Sequence, residues 1–173
     1  MLKRNLVSVG KSFKGDEFYI LALSLNNIKL FHCVHYRNGE SYISEMELGN
    51  IPTNLSKAMS SDYLEKQLHS HTSSGQASRN GRAIYHGQGV GTNHHKNNIL
   101  QFFRQVDKNL HKVLAEKKSP LILAGVDYLL PIYQKASKHR YLIKEAVRGS
   151  PEKLNKKDLY KKGWSIAKTC FKD

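Results

Sequence analysis

Two apolar clusters open the ordered pattern of the chain. Phe18 to Ser24 reads Phe-Tyr-Ile-Leu-Ala-Leu-Ser, Ile28 to Val34 reads Ile-Lys-Leu-Phe-His-Cys-Val, and each has the length of a strand. Leu25-Asn26-Asn27 between them is short, and asparagine tolerates the positive φ of a tight turn, so the spacing predicts an antiparallel pair. Tyr36-Arg-Asn-Gly39 is a second turn signal. After it Tyr42, Ser44 and Met46 alternate with Ile43, Glu45 and Glu47, which adds a third strand and makes the opening a meander. Asn50-Ile-Pro-Thr-Asn54 interrupts the pattern, and Leu55, Met59, Tyr63 and Leu68 then keep helical spacing to about His71. Thr72 to Asn80 is polar and aperiodic and reads as a loop, with Ala83-Ile84-Tyr85 as one short strand after it.

The second half is more regular. Ile99, Phe103, Val106, Leu110 and Val113 recur at intervals of four and three, the stripe of a long helix that Thr92 or Asn93 would cap. Lys96, Arg104, Lys108 and Lys112 fall mostly on its other faces. Pro120 to Val126 is an apolar run too short for a helix and reads as a buried central strand, with proline allowed at its first position. Asp127 would cap the next helix, which tolerates Pro131 in its first turn and runs to about Lys138. Tyr141-Leu-Ile and Ala146-Val147 are weak strand signals. Asn155 would cap a terminal helix carrying Leu159, Trp164, Ile166 and Cys170. This order predicts an α/β layered domain with a mixed sheet over residues 1–150 and a helical extension over 151–173.

Charge narrows the partners. Of 28 basic and 14 acidic residues in 173, the stretch 87–173 holds 18 basic against 7 acidic, while 1–86 holds 10 against 7. A net charge of +14 with the excess in one half attracts polyanions at long range and releases counterions on contact, which suits RNA, DNA or an acidic surface. A basic protein whose lysines merely face water fits the same numbers. The 39% hydrophobic content supports a core and excludes disorder throughout, and no apolar run approaches the roughly 20 residues of a membrane span. Met1-Leu-Lys-Arg-Asn is not followed by the apolar core of a secretory signal, so the expected location is the cytoplasm. Cys33 and Cys170 lack Cys-x-x-Cys spacing and read as free thiols.

The most unusual local feature is His86-Gly87-Gln88-Gly89-Val90-Gly91, three alternate glycines between a strand signal and a long helix. It has neither the spacing of a dinucleotide fingerprint nor the Gly-Lys-Ser/Thr of a phosphate loop. What remains is a small tip whose backbone can approach a partner closely and whose one amide side chain, Gln88, can position a water or a 2′-hydroxyl. A plain solvent loop ahead of a helix is the competing reading. His86 with His94-His95, and His69-x-His71, offer imidazoles without a completing cysteine or carboxylate set, so no metal is expected. His32 and His35 show no ligand spacing, and Asp16, Glu45, Glu47, Asp107 and Asp127 form no obvious carboxylate cluster. Asp107 would pair with a nearby lysine or arginine on its own helix, such as Arg104 three residues earlier.

Phe18 to Phe31, Leu100-Gln-Phe-Phe-Arg-Gln-Val-Asp107, Pro120-Leu-Ile-Leu-Ala-Gly-Val-Asp-Tyr-Leu-Leu-Pro-Ile-Tyr133 and Gly149-Ser-Pro-Glu-Lys-Leu154 together resemble the bacterial members of the archaeo-eukaryotic release factor superfamily. The resemblance spans nearly the whole chain in order, and Leu121 to Tyr133 is its most specific part. It implies similarity to the middle domain of the archaeal and eukaryotic peptide-chain release factor and of Pelota-like rescue factors, a ribonuclease H-like fold without that enzyme's metal site and without a cofactor. In release factors a Gly-Gly-Gln loop between a strand and a long helix reaches the peptidyl transferase centre and helps water cleave peptidyl-tRNA. His86, Gly87 and Gln88 stand at the matching place: Gly87 and Gln88 match the last glycine and the glutamine, and His86 replaces the first glycine.

The implied partners are the ribosome, ribosomal RNA and tRNA, with no membrane. Gly89, Gly91, Lys96, Arg104, Lys108 and Lys112 are the implied RNA-contacting set. A side chain at position 86 restricts the tip, so four readings stand side by side: hydrolysis of the peptidyl-tRNA ester, a noncatalytic ribosome-binding factor for rescue or hibernation, a peptidyl-tRNA-directed nuclease, and an unrelated basic α/β domain. Full-length bacterial relatives resemble release factors in carrying a further L7Ae-like domain; the residues after Trp164 are too few for one, so two readings stand, a naturally short protein and a fragment whose 151–173 extension links to a missing domain.

Overall fold

The computed structural model describes residues 15–59 and 89–171, with backbone alone for 89–93. In chain order these form β1 (Gly15–Ala22), β2 (Lys29–Tyr36), β3 (Ser41–Met46), α1 (Gly89–Val113), β4 (Leu121–Gly125), α2 (Leu129–Ala136), β5 (Leu142–Arg148) and α3 (Lys156–Ala167), with short 3-10 turns at Pro151–Lys153 and Lys168–Cys170. Residues 55–59 are helical. The remainder of the helix read to His71, the loop over 72–80, the strand at 83–85 and the tip residues His86, Gly87 and Gln88 lie outside the described residues.

The strands form one sheet in the order β3-β2-β1-β4-β5. The opening is the expected meander: β1 pairs antiparallel with β2 from Ala22 opposite Lys29 to Gly15 opposite Tyr36, and β2 pairs antiparallel with β3. The second turn closes through Gly39, whose φ of 85° suits glycine, with its N–H donating to the Tyr36 carbonyl at 2.9 Å. At the first turn the Ser24 hydroxyl accepts from the Asn26 and Asn27 amides at 3.2 and 3.4 Å, so the serine orders the bend together with the asparagines. β1 runs parallel to β4 and β4 parallel to β5, the latter connected through α2. The fold is therefore α/β with a mixed five-stranded sheet.

Both central strands are buried on both faces, which is why they read as unbroken apolar runs instead of alternating ones. Period-two geometry sends Tyr19, Leu21, Leu30, Leu121 and Leu123 to one face, where Ile99, Phe103, Val106 and Leu110 of α1 and Leu129 and Tyr133 of α2 cover them. Phe18, Ile20, Cys33, Ile122 and Ala124 go to the other, under Leu159, Tyr160, Ile166 and Ala167 of α3. Residues 151–171 thus close the second layer over the same sheet. Trp164 stacks on His35 with ring centroids 3.9 Å apart, and the Tyr160 hydroxyl bonds His35 Nδ1 at 2.9 Å.

α3 comes closest to the sheet at Gly163. A Cβ there would stand 2.5 Å from Ile20 Cδ1 and 3.3 Å from Phe18 Cε2, both on fully buried side chains. Gly163→Leu is accordingly expected to cost about 2 kcal/mol through overpacking, read as a lower urea midpoint. An unchanged midpoint would mean that α3 is not seated this tightly.

Four local expectations are corrected. Val113 is 37% exposed and Leu114 is buried in its place, because the stripe continues from Leu110 by four residues and not three. α1 starts at Gly89, so Thr92 and Asn93 lie inside it and not at its N-cap position; glycines lower helix propensity without forbidding helical φ/ψ. α2 ends at Ala136, short of Lys138, with Ser137 as its C-cap. Asp127 does not cap α2: it stands before the N-cap Tyr128, and its Oδ1 accepts from Arg148 Nη1 at 2.6 Å in an exposed ion pair. Asn155 does cap α3, accepting from the Asp158 amide at 2.8 Å.

Candidate nucleic-acid interface

α1 has two faces because its sequence has two. Ile99, Phe102, Phe103, Val106 and Leu110 point into the sheet, and Lys96, Arg104, Lys108 and Lys112 are exposed. Arg104, Lys108 and Lys112 follow one another at intervals of four and so form a single outward ridge. Gly89 and Gly91 occupy the first turn of the helix, and Gln88, the residue before it in the sequence, lies outside the described residues.

Asp107 is the side chain around which this region is built. It is 6% exposed and lies where α1 packs on the end of α2. Its Oδ1 accepts from the Ser137 hydroxyl at 2.5 Å and from the Tyr133 hydroxyl at 3.3 Å, and its Oδ2 accepts from the Lys138 amide at 2.9 Å. The expected Asp107–Arg104 pair is therefore replaced by three donors from α2 and its C-cap, because the carboxylate points inward while Arg104 points to solvent. Burial, reinforced by Asp107, pushes the Tyr133 phenol well above its ordinary pKa and keeps it a hydrogen-bond donor.

Next to this joint His139 is half-buried, and its Nδ1 accepts from the Tyr141 amide at 3.2 Å. Its pKa lies below 6.5, because burial and the neighbouring His111 outweigh the pull of Asp107. Protonation would also break the bond from Tyr141. The unfolded chain then binds more protons than the folded one below the unfolded value, so this residue's stabilisation is present above about pH 6.5 and falls as pH drops through the lower folded value. The difference in unfolding free energy between wild type and His139→Gln should shrink over that interval when followed by urea titration.

Above the joint, α1 and α2 run side by side and leave a groove. Its upper part, a cleft of about 710 Å³, is lined by Lys96, Leu100, Tyr128, Pro131 and Lys135 among others. Its lower part, about 550 Å³, is lined by Arg104, Asp107, Lys108, His111, Lys135 and Lys138. The two meet at Lys135. Of the cations picked out in the sequence, Lys96, Arg104 and Lys108 line this groove and Lys112 continues the ridge beyond it. Tyr128, Lys135 and Lys138 were not foreseen. For the first two the signal was present in the spacing of Tyr128, Pro131 and Lys135, an exposed stripe at intervals of three and four opposite the buried Leu129, Ile132, Tyr133 and Ala136, whereas Lys138 lies past the extended C-cap Ser137 and outside that spacing.

The other polar candidates have structural partners. His32 Nε2 lies 2.6 Å from Glu17 Oε1, which also accepts from the Tyr19 hydroxyl at 2.9 Å. Burial works to raise the Glu17 pKa, but the Tyr19 bond and the His32 charge outweigh it and leave it lowered. The Cys33 thiol is buried and pushed up to about 12, which makes it a poor nucleophile at neutral pH; Cys170 is exposed. Among the described residues no three His, Cys, Asp or Glu side chains converge as metal ligands, and no helix is long and apolar enough to cross a membrane.

A mixed five-stranded sheet carrying a long helix with a cationic outer face defines a basic, layered α/β domain. The chain matches the family model of bacterial archaeo-eukaryotic release factor family 7 over residues 18–169 and belongs to that family. No curated protein matches it. Membership supports a translation-associated role.

Proposed function

We propose that this protein is a cytoplasmic translation factor that docks on ribosomal RNA or tRNA through its basic second half and presents residues 86–91 to the acceptor end of tRNA. The observation that carries the reading is the family match over 18–169, joined to a cationic α1 that begins immediately after Gln88. Among the described residues one sheet, in which only β2 is reversed, with helices on both faces, supports the ribonuclease H-like relationship. In the hydrolytic form Gln88 orients a water toward the ester carbonyl of peptidyl-tRNA, while backbone N–H groups of the glycine-rich tip stabilise the oxyanion that develops.

His86 favours a second form. A side chain where release factors resemble one another in glycine narrows the conformations open to the tip, and a tip that fills the site without reacting makes a noncatalytic rescue or hibernation factor. Release of labelled peptide from stalled ribosomes separates the forms. Peptide released by wild type and lost in Gln88→Ala supports hydrolysis; salt-sensitive cosedimentation without release supports the noncatalytic form; a shortened tRNA product would replace both with a nuclease. No ribosome association at any salt overturns the proposal.

A further inference from the structure

The groove between α1 and α2 joins two features. One is charge: Lys96, Arg104 and Lys108 from α1, Lys135 from α2 and Lys138 just beyond its C-cap line it, and its one acidic lining residue among the described residues, Asp107, is already bonded to Tyr133, Ser137 and the Lys138 amide. The other is an aromatic ring in the open. Tyr128 is 56% exposed, the most exposed large apolar side chain among the described residues, and it lines the upper cleft beside Lys96 and Lys135.

Lysines and arginine along both walls complement a chain of phosphates. An exposed ring at the same wall adds a stacking platform, which a duplex cannot use because its bases already stack on one another, whereas an unpaired base has a free face. We infer that the α1–α2 groove binds single-stranded RNA, with a base stacked on Tyr128 and the backbone running past Lys135 toward Arg104, Lys108 and Lys138. The inference rests on the reading of the protein as an RNA-docking translation factor and gives it a contact made by residues other than 86–91. An acidic polypeptide shares the charge but offers no base for Tyr128.

The test uses the full chain and a labelled oligoadenylate of about 8 nucleotides, followed by fluorescence anisotropy at several salt concentrations. Tyr128→Ala is expected to weaken binding about tenfold without changing the salt slope, and Tyr128→Phe to keep most of the affinity. Lys135→Gln should reduce the slope by about 0.7, the loss of one phosphate contact. A duplex of the same length that binds as tightly, polyglutamate that competes as well as unlabelled oligoadenylate, or a Tyr128→Ala protein that binds like wild type would each overturn the inference. Oligonucleotide binding without peptide release upholds the groove and counts against the hydrolytic form alone. Peptide release without oligonucleotide binding counts against the groove alone.

Discussion

Asp107→Ala should lower the free energy of unfolding by about 3 kcal/mol, a large fraction of the 5 to 15 kcal/mol that holds a domain of this kind together. The size follows from what the substitution strands. Three donors now converge on one buried carboxylate: the Ser137 and Tyr133 hydroxyls and the Lys138 amide. Tyr133 is fully buried, and without Asp107 its hydroxyl would be left where no water replaces the lost acceptor. Asp107→Asn should fall between the two, because its carbonyl oxygen can still serve Ser137 and Tyr133 while its amide faces the Lys138 N–H, donor against donor. Urea titration measures both.

Two controls tie the effect to this geometry. Arg104→Ala should change stability by only a few tenths of a kcal/mol, since exposed charges away from a buried network contribute little. Had the carboxylate paired along its own helix, that variant would carry much of the loss. In Asp107→Asn the His139 pKa should move further down, because Asp107 supplies the charge that now holds it up. An NMR titration of His139 reports this independently of stability.

Most of the layered frame was legible because burial writes itself into periodicity. β1 and β4 were readable as apolar runs of strand length, and the stripe from Ile99 to Leu110 marked the α1 face that meets the sheet. β5 was faint because an edge strand is less buried, so its apolar residues Leu142, Ile143, Ala146 and Val147 are separated by exposed Lys144 and Glu145. Asp107 and Asp127 were misread for a different reason. Sequence spacing offers a charged group its neighbours on the same helix or turn, whereas the partners that won come from α2 and from the end of β5, brought close by the β4-α2-β5 crossover. The groove was half legible: the α1 wall followed from helical spacing, but the facing wall, Tyr128 at the N-cap of α2, Lys135 within it and Lys138 beyond its C-cap, becomes visible only once the two helices are known to lie side by side.

Gln88→Ala should slow peptide release from stalled ribosomes about a hundredfold if the tip is hydrolytic, the scale of losing one group that positions charge or water in a transition state. The loss should fall on the rate at saturating protein and not on ribosome affinity. In the proposed function docking rests on the cations that line the α1–α2 groove, which the substitution leaves in place. Lys108→Glu should do the reverse, weakening association with a smaller salt slope while leaving the rate on bound ribosomes near wild type. His86→Gly then decides what the departure at the tip does. If His86 restrains the backbone, restoring glycine should raise the release rate, or create activity in a protein that had none, and Gln88→Ala in the same background should abolish the gain. A His86→Gly protein that binds ribosomes and still releases nothing, with or without Gln88, would place the role of the tip in occupying the site and not in chemistry.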